Sequence, residues 1–192
     1  IVSAAVSEGS IGIAYTYSEP IIWFEYVLDT AVMAREKKLV NVMVTNGFIN
    51  REPLEQLLGV IDAMNIDLKT FRDETYKKYQ RGRLAPVLDT IRRSHAKCHV
   101  ELTTLIVTGI NDDMSEMREI IDWIASIDRK IPLCFDRSLC TRATQCRPKR
   151  QPSPGAMRPR AQSVPPAACS CWAPSLRFFC EQERVRVKSN DR

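Results

Sequence analysis

The chain has 192 residues, 44% of them hydrophobic, and no apolar run is long enough for a membrane-spanning helix. This length suits one globular domain with a sizeable core. The net charge of +5 is uneven: residues 134–192 carry ten Arg and two Lys against four acids, a local +8 that leaves −3 for residues 1–133.

Cysteine and proline follow the same divide. Cys98 alone precedes Leu133 among seven cysteines, and seven of the eleven prolines follow it. A boundary is therefore placed near residue 134, between a mildly acidic body (1–133) and a basic tail (134–192).

The chain opens with Ile1-Val2-Ser3-Ala4-Ala5-Val6, which reads like the middle of a helix; an amino-terminal piece is expected to precede it. Gly12 to Thr16 is the first strand candidate. Pro20 then starts a helical pattern through Lys38, with Ile22, Tyr26, Ala31 and Ala34 at helical spacing. Val40 to Val44 is a second strand, closed by Thr45-Asn46-Gly47. Pro53 opens a short helix to Leu58. A third strand lies within Ile61–Leu68, and Pro86–Ala96 is helical. His99 to Val107 is a fourth strand, rich in β-branched residues. Ser115 is expected to cap a helix that carries Ile120, Ile121 and Trp123. Ile131-Pro132-Leu133 begins a fifth strand.

Strands alternating with helices at this spacing predict βαβ units and a parallel α/β sheet. Periodicity does not separate an open doubly wound sheet from a barrel. Both place ligands at the carboxyl ends of the strands, where polar residues gather. Ser18 and Glu19 follow the first strand, and Thr45 and Asn46 follow the second. Asn65, Asp67 and Lys69 alternate on the third, facing away from Ile66 and Leu68. Glu101 and Thr103 share a face of the fourth, with Asn111 and Asp112 beyond it. Taken singly, each has a plain structural use as a turn, an ion pair or a helix cap. Together they suit a zwitterion, with Glu19 holding an ammonium and Lys69 a carboxylate.

The strings "TYSEP", "VTNGF", "MNIDLK" and "VTGIND", in this order, resemble the radical S-adenosylmethionine (SAM) enzymes related to pyruvate formate-lyase activating enzymes. "IAYTYSEP" and "MNIDLK" bring the chain nearest to the radical SAM member of the AmmeMemoRadiSam system. The resemblance covers residues 1–133. It implies an α/β fold, an incomplete TIM-like barrel of parallel strands, and composition alone predicts that this is followed by a poorly structured tail. It also implies two cofactors, SAM and a [4Fe-4S] cluster. SAM would be reductively cleaved to a 5′-deoxyadenosyl radical that abstracts hydrogen. Tyr17, Ser18 and Glu19 stand where the family has its "GGE" motif for the SAM amino group. Asp67 and Lys69 match its "D-x-K", whose lysine contacts the SAM carboxylate. Thr45 and Asn46 match "TNG", and Thr103 lies on the strand beneath the cofactor. Val44 replaces an acid common before "TNG", and Thr108 replaces the usual proline of "VPGxxD".

The resemblance places the cluster's C-x3-C-x2-C loop before "TYSEP", so its ligands are expected upstream of Ile1. Cys98 reads as a core thiol. Cys134, Cys140 and Cys146 have the wrong spacing, and Cys169 and Cys171 are a lone pair. His95 and His99 straddle a helix-to-strand turn and make no metal site. This chain alone is therefore expected to be inactive. Its full-length parent is expected to be cytoplasmic; the glycyl-radical-activating enzymes act on a partner protein, but no motif here identifies the substrate. An aldolase-like barrel enzyme with Lys69 as Schiff-base nucleophile is the alternative. The tail is attributed to a shifted reading frame near Cys134, in preference to a natural basic arm, so nucleic-acid binding is not expected.

Overall fold

The structure, a computed structural model, describes residues 1–137. Five strands form one sheet in the order β1 (Gly12–Tyr15), β2 (Val40–Thr45), β3 (Ala63–Asp67), β4 (His99–Ile106) and β5 (Leu133–Arg137). All neighbours are parallel. The helices are α1 (Val2–Ser7), α2 (Phe24–Glu36), α3 (Arg51–Leu58), the single turn α4 (Asp73–Thr75), α5 (Leu84–His95) and α6 (Met114–Ile127).

Strand order resolves what periodicity left open. A doubly wound sheet reverses direction at a switch point. Here the chain order and the spatial order are the same. With right-handed crossovers, the connecting helices α2, α3, α5 and α6 then fall on one face of the sheet, as in a (β/α) barrel. The core bears this out. Ala31 of α2, Leu54 and Leu57 of α3, Val87 and Ile91 of α5, and Ile120 and Ile124 of α6 all pack with Met43, Met64, Ile66 and Leu102. Register explains why those strand residues share a face. Met43 lies opposite Met64, and Ile66 opposite Leu102, so one period-two set runs across the sheet. The fold is a singly wound parallel α/β sheet, an incomplete TIM-like barrel.

One polar network sits inside that apolar layer. Asn41 of β2 is fully buried and donates to the carbonyls of Ala31 and Val60 at 2.9 and 3.0 Å. Its own carbonyl accepts the Tyr15 hydroxyl at 3.0 Å. Every polar atom of that amide is thereby partnered, which is the condition for burying it cheaply.

Several boundaries differ from the sequence reading. The helix expected from Ile21 begins as a 3₁₀ turn over Pro20–Trp23, and α2 starts at Phe24. The residues before it, Tyr17 to Glu19, all take positive φ, so the chain enters this turn from a conformation no α-helix continues. Helices α3 and α5 begin two residues before Pro53 and Pro86, because proline is tolerated throughout a first turn. Residue 113, not Ser115, caps α6: the Asp113 carboxylate accepts the Ser115 N–H at 2.8 Å. β5 carries the sheet to Arg137, past the compositional change at 134. Cys140, Cys146, Cys169, Cys171 and the rest of the basic tail lie outside the described residues.

Candidate functional site

The loop after β1 bends sharply. Tyr17, Ser18 and Glu19 hold φ of 62°, 51° and 54°. Side-chain-bearing residues avoid this region, at a cost of roughly 1–2 kcal/mol each, so three in a row need a compensating anchor. The anchor is the Glu19 carboxylate. Oε1 accepts the Thr45 hydroxyl at 2.6 Å and the Ile21 N–H at 3.3 Å, and Oε2 accepts the Asn46 N–H at 2.7 Å. Glu19 thus ties the end of β1 to the end of β2. A carboxylate offers about four acceptor directions; among the described residues three are filled, and the open one is on Oε2.

The β2 turn is ordered by its own side chains. The Thr45 hydroxyl also accepts the Gly47 N–H at 3.1 Å, and Asn46 Oδ1 accepts the Phe48 N–H at 2.8 Å. Gly47 has φ of 70°, and a Cβ there would come within 2.8 Å of the Ile66 methyl, so both torsion and space call for glycine. Thr45 is buried and lies opposite Ile66, on the helix-packed face. Its hydroxyl donates once and accepts once within the protein.

On the opposite face, β3 and β4 carry the second group. The Lys69 ammonium pairs with the Asp67 carboxylate, both side chains less than a third exposed. Thr103 lies opposite Asp67 in register and donates to Asn65 Oδ1 at 3.1 Å. Lower on β4, His99 Nε2 lies 3.3 Å from the buried Glu101 carboxylate. The eight residues singled out in the sequence therefore fall into two groups at the carboxyl end of one sheet. One is Tyr17, Ser18, Glu19, Thr45 and Asn46, at β1 and β2. The other is Asp67, Lys69 and Thr103, at β3 and β4.

Two residues hold this end together: Asn111, which the sequence already placed beyond β4, and Glu116, which it did not bring here. Asn111 is buried and links the chain after β3 to the end of β4. Glu116 of α6, also buried, accepts the Thr70 hydroxyl and, at 2.6 Å, the Phe71 N–H. A glutamate two residues into a helix reads as helix-start electrostatics; only the tertiary fold brings it against the β3 loop. Arg72 completes the junction with a bidentate pair to Glu119.

Cys98 packs against the core, and burial pushes its thiol up to about 12. A thiol held protonated is a poor metal ligand. Among the described residues, no three His, Cys, Asp or Glu side chains gather as a metal site. No helix among them is long and apolar enough to cross a membrane.

Known proteins share this architecture. The uncharacterized protein MJ0808 of Methanocaldococcus jannaschii is 42% identical over 139 residues, which is 71% of this chain and 41% of that protein. The chain thus spans less than half the length of this curated relative. A domain of pyruvate-formate lyase-activating enzyme from Bacteroides vulgatus superposes with a TM-score of 0.57 at 18% identity, over 64% of this chain and 77% of that one. SuiB of Streptococcus suis, in its complex with S-adenosylmethionine, gives 0.57 at 14% identity, over 71% of this chain and 31% of that one. A complex of SuiB with its precursor peptide SuiA gives the same score, over 71% and 30%. At such identities these likenesses concern the fold. The sequence itself matches the family described as the radical SAM superfamily over residues 1–124, from α1 into α6. On that match, which takes in well over half of its 192 residues, the chain belongs to the radical SAM superfamily.

Proposed function

We propose that this chain supplies the SAM-gripping part of a radical SAM enzyme, and that its two polar groups hold opposite ends of the methionine moiety. The observation that carries the reading is the loop Tyr17–Glu19. Three successive left-handed residues end in a carboxylate fixed by the neighbouring strand, at the same sheet end as Lys69. A carboxylate fixed in this way suits an ammonium. Oε2 of Glu19 has the open acceptor direction. Thr45 and Asn46 serve by orienting Glu19, since the Thr45 hydroxyl and the Asn46 N–H already donate to its carboxylate.

Lys69 suits the SAM carboxylate. Its ammonium has three donor hydrogens, and among the described residues Asp67 alone takes one, which leaves two for a ligand. Thr103 and Asn65 line the same face beside it. The Asp67 partner also weakens the aldolase alternative, because a Schiff-base lysine works uncharged in an apolar or cation-rich setting.

Bound SAM would supply a sulfonium whose one-electron reductive cleavage releases methionine and a hydrogen-abstracting adenosyl group. The chain's own part is to bind, orient and exclude water. The described residues do not fit the [4Fe-4S] cluster, so no step is assigned to them there. Support for the finer placement beside the AmmeMemoRadiSam system comes from "IAYTYSEP" and "MNIDLK". A peptide or protein substrate, including the glycyl-radical type, is supported by the fold shared with the activating enzyme and with peptide-bound SuiB.

Calorimetric titration of the chain with SAM tests the reading. Glu19→Gln and Lys69→Met should each weaken binding by about tenfold or more, the loss of one charge-assisted contact. Unchanged affinity in both variants refutes it. Anaerobic reconstitution of the chain alone with iron and sulfide should yield no 5′-deoxyadenosine.

A further inference from the structure

Lys69 lies just beyond the last ladder bond of its strand, yet both polar groups of its peptide are held by side chains. Leu68 N–H still bonds Thr103 O at 3.0 Å, and the Thr104 hydroxyl donates to Leu68 O at 2.8 Å. One residue on, the ladder has ended. The Lys69 N–H donates to the Tyr76 hydroxyl at 3.2 Å. The Asn111 amide donates to the Lys69 carbonyl at 2.6 Å.

Both holders are themselves fixed. Tyr76 is 3% exposed, and burial pushes its phenol up to about 12, so its hydroxyl keeps its proton. Asn111 is 6% exposed. Its amide donates a second bond to Leu105 O at 2.9 Å, and its Oδ1 accepts the Val107 N–H at 2.7 Å. One end of the clamp comes from the turn after α4 and the other from the loop after β4, 7 and 42 residues away in sequence.

We propose that Tyr76 and Asn111 are positioning residues that clamp the Lys69 peptide, fixing the point from which its ammonium reaches the SAM carboxylate. This rests on the reading of Lys69 given above. A four-carbon stem on a mobile backbone would lose both backbone and rotamer freedom on gripping a ligand. Holding the backbone beforehand leaves only the stem to order, which is how preorganisation raises affinity. Asp67 steers the head of the side chain, and the clamp fixes its root.

The test is calorimetric titration of the whole chain with two ligands, SAM and decarboxylated SAM, which lacks the carboxylate. Wild type should prefer SAM, and Lys69→Met should lose that preference. Tyr76→Phe keeps the buried ring and removes the acceptor; it should lower SAM affinity about tenfold and leave decarboxylated SAM unchanged. Asn111→Ala should do the same if it folds, and Tyr76→Phe in the Lys69→Met background should cost nothing further. Equal weakening of both ligands marks a merely structural role and overturns the clamp. So does full SAM preference in Tyr76→Phe alongside its loss in Lys69→Met. Absence of any preference in wild type refutes the Lys69 reading itself, and the clamp with it.

Discussion

Ser18 shows how a single residue carries the strain of the site. It holds φ of 51° between two residues in the same region. Its side chain is exposed and, among the described residues, enters no hydrogen bond, so the torsion is its main handicap. Ser18→Gly should therefore stabilise the chain, by up to about 1 kcal/mol once glycine's extra unfolded-state freedom is set against relieved strain. Thermal unfolding measures this; a lower melting temperature would mean that the serine makes a contact worth more than its strain. Glu19 was legible in the sequence as a carboxylate at a strand end, and its plain use at the start of the next turn was equally open there, a use its bond from the Ile21 N–H shows. Its bonds to Thr45 and Asn46 were not legible. They depend on which strand lies beside β1, and that is fixed by packing across 26 and 27 residues of sequence.

Among the elements, strands were read more faithfully than helix starts. β2 and β4 fall where β-branched residues accumulate, because a parallel strand covered by helices needs such side chains. Helix starts shifted because proline and capping residues mark a first turn without naming its first residue. Tyr76–Gln80, a π-helical turn after α4, carries no apolar periodicity and was not foreseen. α6 yields a prediction at this scale. The Ser115 N–H holds the Asp113 carboxyl below the usual carboxylate range, and the Arg72 guanidinium does the same for Glu119. Carboxyls with depressed folded-state values stabilise the fold above their unfolded value of about 4, and that stability is lost as pH falls through the folded values. Amides at the start of α6 should therefore lose hydrogen-exchange protection in acid sooner than those of β3. Added salt should shrink the Arg72–Glu119 share, since both side chains are exposed. Protection that stays level from about pH 5 to 3 would contradict this.

At the scale of the whole molecule, the singly wound order has a physical consequence. A closed barrel has no edge strands. Among the described residues β1 has β2 as its only ladder partner, so its far side presents backbone groups to whatever lies beside it. The Ile11 carbonyl accepts from Val40 N–H, which turns Ile11, Ile13 and Tyr15 toward β2 and leaves Gly12 and Ala14 pointing outward. Gly12 also packs tightly: a Cβ there would lie 2.3 Å from the Val40 carbonyl oxygen, so the strand cannot carry a larger, edge-blocking residue at that position. Exposed Ile11 flanks it. An unblocked parallel edge beside apolar surface recruits further strands. The chain alone should associate with rising concentration in sedimentation experiments, and the amides of Gly12 and Ala14 should exchange faster than those of Met43 and Met64 in β2 and β3. In a longer polypeptide that supplies a strand alongside β1, both effects should vanish together. If Ala14 is as protected as Met64 in a monodisperse chain, the edge is covered from within this sequence and the partial barrel is more nearly closed than its strand order implies.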